Sequence, residues 1–448
     1  MENGNSVRAA GAPSKPKLTR LKIESFRGVA PCELRFSSGF NVLLGLNATG
    51  KTTLLELIVA SLSFDFSRFG DEPFAVEYEL SFSTGTIVTS MRNEHVAPRN
   101  QEAISPLIEA PGFQVRDTKQ FVPSTQMHIH FTSLAKEWTV RADGTSIWLK
   151  EEPESKSSLQ THQGKRGPDL LFRAIQLVLD DDFDNDKSPL WLTYQNDLWS
   201  WASACRFDEA LDLFRDITSA STWIEVRVDR ARGAALGASL GGVIPRELLS
   251  AFGAEVVKMS GEAGQGLTIH AESLEFLQEV VALFGFKSAR MEMRLKSKTG
   301  RTIESLRFSD FRFMFEDHDG RTTGHDDLSY GQKRILTFYY YLAFSPMTVI
   351  ADELVDGLHH LWIDASIEAM GDRQAFLASQ NPLLLDHLEF GSAEQVAATF
   401  VTCRAERSGS DKHMIWSNMS TYDAERFFRA YKVDVNHVSE ILLSKGLW

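Results

Sequence analysis

Gly45 and Gly50, followed at once by Lys51 and Thr52, stand in the spacing G-x-x-x-x-G-K-T. Two glycines let a backbone curl until its N–H groups converge on phosphate oxygens. Asn47, Ala48, Thr49 and Thr53 complete the stretch that would line a nucleotide's phosphates. Lys51 carries a charge toward the β- and γ-phosphates, and the Thr52 hydroxyl suits a Mg²⁺ position. Average residue usage gives ~0.02 chance matches in a chain of this length, so the flanks decide. "FNVLLG" before the loop is a buried-strand run, and "TTLLELIVASL" after it has apolar residues at helical spacing. Strand, loop and helix in that order predict a phosphate site.

A second acidic pair supplies the chemistry a phosphate loop lacks. "MTVIADEL" predicts a buried strand ending in Asp352 and Glu353. An aspartate at such a strand tip holds Mg²⁺, usually through water, and the adjoining glutamate polarises an attacking water as general base. Before it runs "LSYGQKR", residues 328–334, where Ser329 and Gln332 form an S-x-x-Q capping box that starts a helix. A helix N-terminus with an exposed serine and glycine is also an anion site.

"LSYGQKR" resembles the LSGGQ-type signature of ABC-class ATPases, with Tyr330 in place of the first glycine. The resemblance implies that Ser329, Gly331 and Gln332 meet the γ-phosphate held by an opposing subunit, so that hydrolysis needs two heads to close. It places Asp356 in the region of the D-loop. It matches "ASQNP" with a switch segment in which Gln380 takes the place of the usual histidine. Taken together the motifs resemble the OLD-like ATPases, relatives of RecF and SMC heads, a kind used by bacterial anti-phage systems such as Septu and PARIS. The match rests on residues 18–62 and 325–390. By the same resemblance Arg27, in "FRG", falls where such heads place a residue near adenine, and an insertion glutamine touches Mg²⁺. Gln126 and Gln195 are both open for that role.

The elements needed to position these groups give an α/β fold, an ABC-type ATPase head with a mixed sheet flanked by helices and a mainly helical inserted lobe. Residues 1–17 read as a disordered tail, 18–150 as the N-terminal part of the head, 151–300 as the insertion and 301–448 as the C-terminal part. Hairpin strands are expected in residues 74–92 around Ser83, Thr84 and Gly85, and further strands in "QMHIHF" and "TSIWLK", joined by Asp143–Gly144. Helices are expected in "DLLFRAIQLVL", "FDEALDLFRDI" and "LEFLQEVVALF", with a glycine-rich break at 233–242. The C-terminal strands are expected in "VAATFVTCRAE" and "HMIWSN", before two helices.

Composition narrows the function classes. With 47 Lys+Arg against 60 Asp+Glu the net charge is −13, which argues against sequence-independent coating of DNA. The three cysteines have no metal spacing and suit a reducing cytoplasm. No secretory signal and no membrane-spanning run is expected. The acidic run Asp180, Asp181, Asp182, Asp184, Asp186 fails the EF-hand register, with Lys187 where glycine is needed, and reads as a solvated turn. Trp191, Trp199 and Trp201 read as core packing, with a partner-protein surface as the alternative. No heptad arm interrupts the chain, and the stretch after Asp386 is short for a nuclease domain. The expectation is a slow cytoplasmic ATPase using ATP and Mg²⁺, a homodimeric switch for a separately encoded effector such as a nuclease. The alternative is a RecF-like repair head that binds DNA directly.

Overall fold

The computed structural model describes residues 17–82, 85–93, 124–131, 136–142, 146–152, 157–161, 204–217, 223–229, 231–232, 234–240, 244–259, 265–300, 302–345, 347–381, 383–408, 411–433 and 437–446. The tail, Gln195, the acidic run, the three tryptophans, the helix expected in "DLLFRAIQLVL" and the Asp143–Gly144 turn lie outside the described residues. The chain opens with strands β1 (Lys17–Phe26), β2 (Cys32–Arg35) and β3 (Phe40–Leu44), then helix α1 (Lys51–Ser63). Strands β4 (Phe74–Phe82), β5 (Gly85–Asn93), β6 (Ser124–Phe131), β7 (Lys136–Ala142), β8 (Ser146–Glu152) and β9 (Ser157–Thr161) come after it. Next are α2 (Phe207–Ile217), β10 (Ile224–Asp229), β11 (Ala234–Leu240), α3 (Arg246–Lys258), β12 (Gly266–His270) and α4 (Glu275–Phe284). The C-terminal part holds β13 (Ser288–Thr299), β14 (Ile303–Glu316), β15 (Thr322–Gly324), α5 (Tyr330–Phe344), β16 (Thr348–Asp352), α6 (His360–Met370) and β17 (Gln374–Ala378). It ends with α7 (Leu383–Asp386), α8 (Ala393–Thr399), β18 (Phe400–Ser408), β19 (Asp411–Asn418), α9 (Thr421–Tyr431) and α10 (Val438–Ser444).

The sheet that matters for chemistry runs β16-β17-β3-β18-β19. Its first four strands are parallel and β19 returns antiparallel. Strands covered on both faces should be mainly apolar, and β3, β16 and β17 are. Ile350, Phe376, Leu43 and Val401 face the core built around α1. Val349, Ala351, Ala375 and Leu377 face the core built around α5. Val42, Leu44 and Phe400 pack instead against the helices at the C-terminus. Each of these Val, Leu, Ile and Phe side chains contributes about 1.5–3 kcal/mol by leaving water, so the strand tips are held rigidly. The carboxyl ends of β3, β16 and β17 therefore lie side by side, where ligands of open α/β sheets bind.

An eight-stranded antiparallel sheet, β2-β1-β4-β5-β6-β7-β8-β9, closes over the other side of α1. The β4–β5 hairpin forms as expected, with Phe82 opposite Gly85. β6 and β8 are not joined directly: "KEWTVRA" adds β7 between them, its alternating Trp, Val and Ala suiting a strand.

The insertion differs from the expectation of a mainly helical lobe. Among the described residues of 151–300, helices α2, α3 and α4 alternate with strands β10 to β13. The glycine-rich break became β11, whose small residues pair with β10. The boundary expected at 300 falls in the turn between β13 and β14, inside one sheet of order β11-β10-β14-β13-β12. Alternation explains this: Met291, Met293, Leu295, Phe311, Phe313 and Phe315 point inward to α5, the polar residues outward. Near the C-terminus, "VAAT" ends helix α8, and β18 starts only at Phe400. No helix among the described residues is long and apolar enough to cross a membrane.

Candidate functional site

The loop between β3 and α1 is shaped by contacts that tolerate only glycine. A Cβ on Gly45 would lie 2.1 Å from the Cys403 carbonyl oxygen of β18. Gly50 has φ +89°, and a Cβ there would strike the Met414 Sδ at 2.4 Å. Ala48 is also left-handed at φ 61°, an alternation that turns successive N–H groups inward as an anion nest. Thr49 is buried, its hydroxyl donating to the Leu46 carbonyl at 2.8 Å and its own carbonyl accepting from the Trp416 indole at 3.1 Å. Trp416 and Met414 of β19 thus brace the loop, a role no motif announced. Asn47 and Thr52 are exposed, Thr53 partly so.

Lys51 is only 7% exposed, and its ammonium donates to the Gly45 and Leu46 carbonyls at 2.6 and 3.1 Å. A phosphate would offer the same donors a charged partner, a stronger bond than a neutral carbonyl. The Thr52 hydroxyl lies 2.5 Å from the Asp352 carboxylate at the tip of β16. Hydroxyl and carboxylate side by side are a hard oxygen set, so Thr52 and Asp352 fit Mg²⁺.

Glu353 has φ 52°, a strained conformation for a non-glycine residue that costs of order 1–3 kcal/mol. Several bonds hold it there. Its N–H donates to the Ala378 carbonyl at 2.8 Å, joining β16 to β17. Its carboxylate accepts from the Gln380 backbone N–H at 3.0 Å to each oxygen, and from the Ser379 hydroxyl at 3.4 Å. Its carbonyl, and that of Leu354 at 2.9 Å, accept from Arg334. Arg334 is buried, with its guanidinium 5.1 Å over the Phe207 ring. An arginine between positions that read as core was the one sequence signal for this clamp.

Gln380 thus touches the acid through its main chain, while its exposed side chain has no hydrogen bond among the described residues. Glutamine donates a hydrogen bond but carries no charge. Gln380→His should keep hydrolysis and make it pH-dependent around the imidazole's ordinary value of about 6.5. The sign follows from the cation: any gain is present below that pH and lost above it. Single-turnover rates from pH 5.5 to 8.5 test this; a Gln380→Ala rate equal to a fast wild type would make the side chain idle.

The signature stretch folds as the capping box requires. The Gln332 N–H donates to the Ser329 hydroxyl at 3.3 Å and the Ser329 N–H to the Gln332 side chain at 3.0 Å. Ile335, Leu336, Phe338, Tyr339 and Leu342 are buried, but so are Tyr340 and Tyr341, so α5 is enclosed on all sides. Gly331 is buried against the Gly357 carbonyl and Trp362 of α6, which corrects the expectation of an exposed glycine. The surface there is Ser329 and the Tyr330 ring, 66% exposed, which rests on Gly357. Asp356 is exposed beside it. Among the described residues no hydrogen bond joins Ser329, Gly331 or Gln332 to the phosphate loop.

Arg27 is held elsewhere. Glu72 grips it from two oxygens at 2.5 and 2.7 Å, Glu56 of α1 lies at 3.4 Å, and the guanidinium sits 4.9 Å over Phe69. Gln126 points to His128 two residues on, at 2.9 Å, on a strand four places from the β1–β2 edge of its sheet.

Residues 20–186 match the family model described as an AAA domain, less than half of the chain. RecF of Vibrio cholerae O1 El Tor Inaba, a DNA replication and repair protein, is 51% identical over 41 residues. Those residues are 9% of this chain and 11% of that protein. RecF of Geobacter metallireducens is 51% identical over 61 residues, 14% of this chain and 17% of that protein. The chain thus spans well under a quarter of the length of the curated relatives it matches. Among solved structures, an SMC head bound to the C-winged helix domain of ScpA aligns with TM-score 0.39 and 10% identity, over 90% of this chain and 98% of that one. The SMC head of Thermotoga maritima aligns with TM-score 0.35 and 10% identity, over 90% and 99%. The fold is α/β, with mixed sheets flanked by helices.

Proposed function

We propose that this chain binds and hydrolyses ATP as one of two heads that close on two nucleotides, and that closure controls a separate effector. The carrying observation is the 2.5 Å contact of Thr52 with Asp352, which brings the two halves of the site together across 300 residues of sequence. The loop N–H groups from Ala48 to Thr52 and the Lys51 ammonium bind the phosphates. Thr52 and Asp352 would hold Mg²⁺, which when bound would neutralise phosphate charge. Glu353 orients and deprotonates the attacking water, and Gln380 reaches the γ-phosphate. Absence of a fixed cation at Gln380 makes turnover slow, suited to a timed switch. Ser329, with the main chain of Gly331 and Gln332, offers its helix N-terminus to the partner head's nucleotide. Asp356 lies at the same surface. Arg27 would serve the base only by releasing Glu72.

The effector, a nuclease in bacterial anti-phage defence, rests on the resemblance to OLD-like ATPases of the Septu and PARIS kind. A second reading, a repair head that binds DNA directly, is favoured by the short match with RecF, a DNA replication and repair protein. The two separate on salt: direct DNA binding falls steeply as salt rises, and a switch shows none to lose.

Closure in trans has its own test. Ser329→Arg should bind ATP and fail to hydrolyse it, and Lys51→Ala should do neither. Mixed equally, they form heterodimers with one intact composite site, restoring up to about a quarter of wild-type turnover. Silence in proven heterodimers removes the two-head reading.

A further inference from the structure

Asp208, in the first turn of α2, has no part in the site so far described. Its position is fixed from β16. The Tyr341 hydroxyl accepts from the Ile350 N–H of β16 at 2.9 Å and donates to the Cys205 carbonyl at 3.0 Å. Two residues further on, the Phe207 ring lies beneath the Arg334 guanidinium that holds Glu353. The segment 205–208 is thus fastened to the strand that ends in Asp352, and α2 packs on that strand.

One Asp208 oxygen, Oδ2, pairs with Arg206 at 2.9 Å. The other, Oδ1, is shielded from solvent and has no hydrogen-bond partner, and neither has the Arg206 Nε. A shielded carboxylate oxygen left alone is rare and calls for a bound water or ion. Burial raises the carboxyl above its ordinary range; Arg206 and a backbone N–H lower it, and the charges of Glu209 and then Asp352 raise it further. On a helix packed against the strand that ends in Asp352, the charge of Asp208 adds to that of Asp352, and a cation relieves such repulsion.

We infer that Asp208 is a further positioning residue of the nucleotide site, its unpartnered Oδ1 and its charge supporting the divalent cation that Thr52 and Asp352 would hold. This rests on the nucleotide reading above. Glu209, its neighbour, is spent on Arg68 at 3.2 Å and Arg206 at 3.6 Å and takes no such part.

The test titrates MgCl₂ against the affinity of the full chain for a fluorescent ATP analogue. Asp208→Asn should need about tenfold more Mg²⁺ than wild type for the half-maximal effect. In EDTA it should bind equally or more tightly, because a charge that repels phosphate is gone. Glu209→Gln should follow wild type. Should Asp208→Asn melt below the assay temperature, Asp208→Ser replaces it, since Arg206 keeps Glu209 as partner. An Asp208 variant whose Mg²⁺ curve overlies wild type overturns the inference. A wild-type chain that binds no nucleotide overturns the nucleotide reading itself, a distinguishable result.

Discussion

Lys51→Ala loses ATP affinity by about 100-fold or more and keeps its fold. The ammonium makes two hydrogen bonds to loop carbonyls without nucleotide. Transferred to phosphate these bonds join opposite charges, hydrogen bonds to charged groups being worth about 1.5–3 kcal/mol each, and tenfold in affinity is about 1.4 kcal/mol. The fold should change little, because α1 is anchored by Leu54, Leu55, Leu57 and Ile58 and not by Lys51. A loss of about 1 kcal/mol would move the melting temperature by only a few degrees. Isothermal titration beside a thermal melt checks both halves. Near-wild-type affinity in a folded variant would remove the phosphate-loop assignment.

Glu353→Gln keeps ATP and stops consuming it. A general base contributes about 10²–10⁴-fold, so turnover should fall within that range while affinity stays level. Geometry supports separating the two effects. The amide oxygen of glutamine can still accept from the Gln380 N–H, and the Ala378 and Arg334 bonds involve only main chain of residue 353. The strained φ is thereby preserved, and only the proton-accepting charge is lost. The variant should accumulate as an ATP-bound species, read by quenched-flow single turnover and by nucleotide retained after gel filtration. A variant that turns over like wild type would assign the base elsewhere.

Legibility in the sequence depends on range. The phosphate loop, the Asp352–Glu353 strand and the Ser329–Gln332 cap are local patterns, each complete within a few residues, and each folds as its spelling predicts. The hairpin of β4 and β5 is legible because its alternation is unbroken. The insertion is not, because β10 and β12 are only 6 and 5 residues long and stand beside three helices, and because glycine and alanine in 234–240 look like a break when isolated. Side-chain burial is the second blind spot: Gly331 looks exposed in a signature, yet Trp362, far along the chain, covers it. Trp416 under the loop and Arg334 on Glu353 are long-range contacts with no local spelling.

The most direct measurement of the two-head switch is the mass of Glu353→Gln in solution, by light scattering with and without Mg²⁺ and ATP. Closure on shared nucleotide predicts a doubling of mass on adding ATP, and no doubling when Ser329→Arg is added to the same chain. A mass that ATP leaves unchanged, with nucleotide shown to be bound, would contradict closure in trans.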